Sequence, residues 1–340
     1  MTDFKDSFKQ MIHEMERLVT ITNKRSVLIL LQHTREEDTT PRVPSVRESI
    51  TNIIGFVALG DEQYLPYIIA ESEGIVDTVM IDTDNKRSNS RQLCLAAQQL
   101  AESKGMSVAY YSDYATWTSS AIAFMMEIEK TNCEKNLFEC TRLLTGRNPL
   151  ATQMLLELIN KGIDVCLLKE EYPNPQFPIA HGTITIESEH IHLVDSTSYS
   201  NLDVLIGCEI QHTTPWLDQL SAIRFKYIYD IGTQNFSQSF IENQRGNGAH
   251  IYRSDDRAGI SGTVVNLMET TQLISSRLGR TTVGGIPVVS GGYLGHPGDI
   301  VVDNYLDAHT ILGIANGDGT FKKNLTTEDT INLQRINKII

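Results

Sequence analysis

Residues 141–170, TRLLTGRNPLATQMLLELINKGIDVCLLKE, constrain the fold more than any other part of the chain. A short apolar run, Leu143-Leu144, ends at Gly146. Apolar residues then recur at Leu150, Met154, Leu155, Leu158 and Ile159, the spacing of a buried helix face, until Gly162 closes the segment. A second apolar run, Ile163 to Leu168, ends on Lys169-Glu170. Strand, glycine turn, helix, strand and acidic residue is the order of a dinucleotide-binding βαβ unit. Glu170 lies 24 residues after Gly146, near the roughly 20 expected between the first glycine and a ribose-binding acid. The turn departs from G-x-G-x-x-G/A. It reads Gly146-Arg147-Asn148-Pro149-Leu150-Ala151, with Asn148 where a glycine would let the backbone approach a pyrophosphate. Asn tolerates positive φ better than most residues, so the turn is expected to survive. A parallel-sheet crossover without a ligand would give the same pattern.

At 340 residues the chain has material for two domains and a sizeable core. Its 41% hydrophobic and 21% charged residues are those of an ordinary globular protein. The net charge of −13 argues against nonspecific nucleic-acid or anionic-membrane binding, which needs clustered Lys and Arg. The cysteines, Cys94, Cys133, Cys140, Cys166 and Cys208, form no C-x-x-C pair, so neither a disulfide framework nor a zinc site is expected. His181, His190 and His192 read as surface histidines, and no metal ligand set is expected. The N-terminal MTDFKDSFKQMIHEMERL is an amphipathic helix and not a signal peptide. The apolar runs are too short to span a bilayer. A reducing cytoplasm is the expected compartment.

The rest of the chain alternates strand and helix. Helices are expected over 3–19, 62–73, 88–104 and 118–131, and strands over Val27–Leu31, Ile53–Leu59, Thr78–Ile81 and Val108–Tyr111. After the βαβ unit, Thr183–Val194 alternates in period two, as a hairpin or a pair of short strands would. Buried strands follow at Asp203–Ile206, Tyr227–Ile231 and His250–Tyr252, then a helix over 260–278. The tail from 281 is Gly-rich, with strand-like runs at Pro287–Val289, Asp299–Val302 and Thr310–Ala315. The expected fold is therefore α/β. An N-terminal α/β domain (1–130) is followed by a Rossmann-type NAD(P)-binding domain (131–280) and a strand-rich C-terminal extension (281–340).

Gly60-Asp61 through Tyr64 to Glu73-Gly74-Ile75 has the form G-D…Y…E-x-G-[IV]. Thr118-Ser119-Ser120-Ala121 enters the helix before the Rossmann unit. Gly146-Arg147-Asn148 is similar to a G-R-S turn. Tyr229-Asp230-Ile231-Gly232 and Ala258-Gly259-Ile260-Ser261-Gly262-Thr263 look like a D-V-G strand end and a G-G-V-G-P-M-T helix start. In this order the segments resemble the methylenetetrahydrofolate dehydrogenase/cyclohydrolase family and the related methylenetetrahydromethanopterin dehydrogenases, within the amino-acid-dehydrogenase-like two-domain superfamily. The resemblance implies NAD or NADP in the second domain, a pterin-like small-molecule substrate in the cleft between the domains, and substrate contacts from Tyr64 and Gly259. Three features depart from it. Ile68 stands where the folate enzymes carry the lysine of the cyclohydrolase step, P-G-G is reduced to Arg257-Ala258-Gly259, and the tail has no counterpart.

The candidate chemistry follows. Gly146, Arg147 and Asn148 would cradle a pyrophosphate at a helix N-terminus, where N–H groups and the helix dipole favour an anion. Glu170 suits a ribose 2′-OH and hence NAD, whereas Arg147 with Lys169 suits the 2′-phosphate of NADP. Gly207, Gly232 and Thr233 end strands at the side where a nicotinamide would lie. His296, in a glycine-rich turn, could move a proton. Asp256, in the charge cluster before the long helix, could orient a pterin-like ring or cap that helix. Two other readings stay open, an S-adenosylmethionine-dependent transferase and a non-catalytic assembly or ligand-binding protein. A strand-rich tail must cover or pair its edges, so a homo-oligomer is expected. Truncation at residue 281 should change the oligomeric mass in light scattering by altering the number of subunits, and an unchanged assembly in a folded truncate would refute that expectation.

Overall fold

A computed structural model describes residues 2–132, 137–174, 176–195, 202–210, 220–232, 234–254, 257–290 and 292–340. The chain divides into two compact units, Met1–Thr263 and Val264–Ile340.

The first unit opens with α1 (Thr2–Thr22), which buries Phe4, Phe8, Met11, Ile12 and Met15 along one face. Next come β1 (Arg25–Gln32), β2 (Arg47–Glu48), β3 (Asn52–Leu59), α2 (Leu65–Ser72), β4 (Thr78–Asp82), α3 (Ser90–Ser103) and β5 (Ser107–Tyr111). The strands form a sheet in the order β2-β3-β1-β4-β5, parallel except for the short β2. Its central strands are buried on both faces, which is why they read as continuous apolar runs rather than alternating ones.

Helix α4 (Asp113–Asn132) leads into the second sheet. Its elements are β6 (Arg142–Thr145), α5 (Pro149–Ile159), β7 (Val165–Leu168), β8 (Gln176–Ile179), β9 (Gly182–Thr185), β10 (Ile191–Val194), β11 (Val204–Gly207), β12 (Tyr227–Asp230), α6 (Gln238–Gly246) and β13 (His250–Arg253). The sheet runs β10-β7-β6-β11-β12-β13, with every pair parallel. Numbered by appearance this is 3-2-1-4-5-6, the doubly wound order of dinucleotide-binding domains. The α/β expectation is met, and of the two readings of 183–194 the structure has the pair of short strands and not the hairpin. β9 pairs antiparallel with β8, while β10 joins the edge of the six-stranded sheet beside β7. His190 Nδ1 meets Asp164 Oδ1 at 2.8 Å, and Val165 N donates to the His190 carbonyl at 2.8 Å, so β10 starts level with β7.

Helix α7 (Arg257–Ser276) crosses from the first unit into the second. There β14 (Gly279–Val283), β15 (Ile286–Ser290), β16 (Ile300–Val302) and β17 (Ile311–Ile314) form a sheet in chain order, followed by α8 (Thr327–Ile336). A small core of Ile286, Val288, Ile300, Val302, Ile314 and Ile336 joins sheet and helix. No described helix is long and apolar enough to cross a membrane.

Helices α4 and α5 cover one face of the second sheet with Ala121, Ile122, Met125, Leu150, Met154 and Leu158. Under α4 lies a buried ion pair. Arg142 of β6 donates to Glu129 of α4 and, through Nη1, to the Cys140 carbonyl at 2.8 Å. The two side chains are only 2% and 1% exposed, so removing one partner strands a charge. Arg142→Met is expected to cost about 3–5 kcal/mol. Arg142→Met combined with Glu129→Leu should recover most of that loss in urea unfolding. A double variant as unstable as the single one would show that the pair is not the source.

Candidate functional site

In the six-stranded sheet the chain leaves β6 toward β7 on one side, and continues from β11 toward β12 on the other. In open α/β sheets ligands bind outside the strand carboxyl ends at such a switch point. Thr145, Gly207, Asp230 and Arg253 lie side by side there across β6, β11, β12 and β13.

Two glycines make this crossing possible. Gly146 has φ +115°, and a Cβ on it would lie 2.9 Å from the Cys208 carbonyl carbon and 3.0 Å from Glu209 N. A Cβ on Gly232 would lie 1.9 Å from the Glu209 carbonyl oxygen. The loops after β6, β11 and β12 therefore touch backbone to backbone. Gly207 faces Asn235 and Phe236, with a Cβ falling 2.8 Å and 2.7 Å from their side chains. The structure thus sets the chain's own atoms against Gly207 and Gly232.

Asn148 does not need the positive φ expected of it. At φ −148° and ψ 172° it is extended and caps α5, its side chain accepting from Ala151 N at 3.0 Å. Its amide Nδ2 donates to the Cys208 carbonyl at 2.9 Å and to Glu209 Oε2 at 3.2 Å. The left-handed position of the turn is Gly146 alone.

The amides of this turn face carboxylates. Gly146 N donates to Glu171 Oε1 at 2.9 Å, and Arg147 N donates to Glu209 Oε1 at 2.6 Å. The Tyr172 hydroxyl donates to the Gly146 carbonyl. Glu209 is anchored through its own N–H, which donates to Asn235 Oδ1 at 2.5 Å. Asn235 Nδ2 in turn donates to Asp230 Oδ1 at 2.6 Å, and Gln234 N donates to Asp230 Oδ2 at 2.9 Å. Burial pushes the Glu171 carboxyl up to about 7; the Gly146 N–H opposes the rise, nearby Glu209 adds to it, and Arg147 opposes it. Burial also pushes the Cys208 thiol up.

Sequence spacing singled out Glu170, yet the acid at the glycine turn is Glu171. After β7 the chain turns, with Glu171 N and Tyr172 N both donating to the Leu168 carbonyl, and this directs Glu171 back to Gly146 while Glu170 is exposed. Lys169 forms a half-exposed pair with Asp195 at 2.9 Å. The ring of Tyr64 packs edge-on against Phe4, 5.5 Å between centroids. Gly259 sits against α4, where a Cβ would fall 2.5 Å from Ser120 Cβ. His296 belongs to the second unit, exposed on a turn whose N–H donates to Asp299 Oδ2 at 2.9 Å. Asp256 and Thr233 lie outside the described residues.

Sequence reasoning also missed a charged cluster in the first sheet, at its own switch point between β1 and β4. Lys86 Nζ lies 2.8 Å from Asp82 Oδ2 and 2.6 Å from Asp113 Oδ2, with its side chain only 2% exposed. It also lies 4.7 Å from the centroid of the Tyr114 ring. Burial raises the Asp82 carboxyl to about 6, although Lys86 pulls it down; Asp113 and Asp84 push it further up. Gln32, at the end of β1, donates to the Asp82 carbonyl at 2.7 Å. Arg87 donates to the carbonyls of Arg35 and Glu36, tying the 33–42 loop down over these strand ends. Among the described residues no group of His, Cys, Asp and Glu is arranged to hold a metal ion.

No protein-family model and no curated protein matches the chain. Among solved structures it aligns with L-tryptophan dehydrogenase from Nostoc punctiforme at 8% identity and TM-score 0.37, over 73% of this chain and 74% of that one. Ornithine carbamoyltransferase from Campylobacter jejuni aligns at 10% identity and TM-score 0.36, over 78% and 96%. A D-lactate dehydrogenase from Treponema pallidum aligns at 11% identity and TM-score 0.28, over 67% and 78%.

The crossing geometry predicts an order of damage. Asn148→Ala should cost about 1 kcal/mol through its cap. Gly232→Ala, which must move a backbone carbonyl, should cost more than about 3 kcal/mol. Urea unfolding checks both, and a Gly232→Ala as mild as the cap variant would contradict the backbone contact.

Proposed function

We propose that this chain is an NAD(P)-dependent oxidoreductase, resembling methylene-tetrahydropterin dehydrogenases, that transfers a hydride to or from a pterin-like small molecule in the cleft between its two parallel sheets. The strand order of the second sheet, with the Gly146 turn at its switch point, carries this reading. The turn before α5 offers two N–H groups, held here by Glu171 and Glu209, that a pyrophosphate would engage by taking the place of those acids. Gly146, Arg147 and Asn148 would hold the pyrophosphate, and Lys169 with Glu170 the adenosine ribose. Gly207, Gly232 and Thr233 would lie toward the nicotinamide. Tyr64, Gly259 and Asp256 would serve the substrate. The nicotinamide supplies the hydride chemistry when bound. The residues of the chain bind, orient and exclude water, a task that needs little acid–base machinery.

The carboxylates of Glu171 and Glu209 at the turn favour one alternative, an S-adenosylmethionine-dependent transferase, because that donor carries a cationic sulfonium and no phosphate. Thermal unfolding with NAD, NADP, their reduced forms and S-adenosylmethionine separates the two. A ligand at about 100 times its Kd should stabilise by roughly 2.7 kcal/mol, a shift of a few degrees. A shift with a nicotinamide nucleotide supports the dehydrogenase and tells NAD from NADP. A shift with S-adenosylmethionine alone supports the transferase. No shift with any of them removes both.

A further inference from the structure

We propose that Glu171 and Glu209 are a built-in competitor for the ligand's phosphate at the glycine turn. They hold the two amides an anion must engage, so a phosphate enters only by displacing them. The proposal rests on the nucleotide-binding reading of the crevice and adds what controls entry to it.

The two acids come from loops on opposite sides of β6, Glu171 after β7 and Glu209 after β11. Each accepts from a backbone N–H of the turn, at 2.9 Å and 2.6 Å, distances of charge-assisted hydrogen bonds. Together they clamp the switch point where a diphosphate would lie. The clamp is poised to open. Glu171 Oε2 is buried and makes no hydrogen bond, so this carboxylate is only half satisfied in the closed arrangement and would regain water on release. The two acids also repel each other. Among the described residues, the titratable and charged groups facing Glu171 are Glu209 and Cys208 after β11, Arg147 before α5, and its neighbour Tyr172. Arg147 is the cation of this set.

The sign of the pH effect follows. With the Glu171 carboxyl raised to about 7, a fall in pH through that value adds a proton from solvent to the acid. A carboxyl raised this far is one whose ionised form the closed clamp holds less well than water does, so the ionised acid leaves the amide of Gly146 more readily than the protonated one. Release of Glu171 to water gives up that proton, so affinity for a diphosphate should fall as pH falls. The diphosphate of NADH itself takes up no proton in this range.

The test is calorimetric titration of the full chain and of Glu171→Gln and Glu209→Gln with NADH and, separately, with inorganic pyrophosphate. At about pH 8.5 Glu209→Gln should bind NADH about tenfold more tightly than the parent chain, one charge-assisted competitor having been neutralised. From about pH 8.5 to about pH 6 binding by the parent chain should weaken, and Glu171→Gln should lose most of that dependence. If Glu171→Gln fails to fold, Glu209→Gln and the pH series of the parent chain carry the test. NADH bound equally by all three chains, with no pH dependence in the parent, overturns the competitor and leaves the cofactor reading standing. Pyrophosphate bound more tightly by Glu209→Gln while NADH binds to none supports the competitor and overturns the cofactor reading. No binding of either probe overturns both.

Discussion

Three strand ends, those of β6, β11 and β12, meet without room for a side chain between them. The Glu209 carbonyl presses on Gly232, and the Cys208–Glu209 peptide presses on Gly146. This contact fixes the direction in which Glu209 leaves the sheet. Its N–H is taken by Asn235 and its carboxylate lands on Arg147 N–H and Asn148 Nδ2. Occupation of the turn amides is therefore a consequence of backbone packing, and not of side chains that drift across an open crevice. The same packing holds Asn148 as an extended cap, so α5 starts where the crossing puts it.

An anion at the start of α5 is favoured by the helix dipole and by unpaired amides, typically by about 0.3–1 kcal/mol at a surface position. The pKa of Glu171 shows which effect wins. Its amide partner and Arg147 both favour the ionised form, yet the carboxyl rises to about 7, so burial together with the charge of Glu209 outweighs them. In a chain of net charge −13 this local excess of acid is not an isolated surface accident. It stands at the glycine turn before α5, whose amides it occupies.

The sequence made the βαβ unit legible because three signals agree there: helical spacing of apolar residues, a glycine at each end of the helix, and short apolar runs on either side. Strand order was not legible, since periodicity says what a segment is and not what it lies beside. That is why 183–194 read either as a hairpin or as a pair of short strands, although β9 and β10 belong to different sheets. Glu171 lies next to the residue that spacing picked, and only the turn after β7 decides which of the two acids points back. Glu209 was invisible for a different reason. It lies 62 residues from the amide it meets, and no local pattern reports a contact at that range. Helix α8, by contrast, was readable and overlooked. Thr326 and Asp329 form a reciprocal capping box, the signature of a helix start, inside a tail whose glycines suggested strands. Ser237, the cap of α6, is a weaker signal of the same kind.

Both parallel sheets have charged groups at their switch points, but the two arrangements differ in what release would cost. In the first sheet Lys86 lies between Asp82 and Asp113, beneath a loop tied down by Arg87. Opposite charges alternate there, and withdrawing Lys86 leaves the buried carboxylate of Asp82 uncompensated, a change worth several kcal/mol. In the second sheet the neighbouring acids have the same sign, so withdrawing one relieves the other, and the oxygen of Glu171 that lacks a partner loses nothing by leaving. An incoming anion can exchange for a carboxylate on the same amides with no change in their hydrogen-bond count. Exchange of this kind has no counterpart around Lys86, whose partners are held by charge. The first switch point is therefore built as a lock that stabilises its sheet, and the second as a seat that can be vacated.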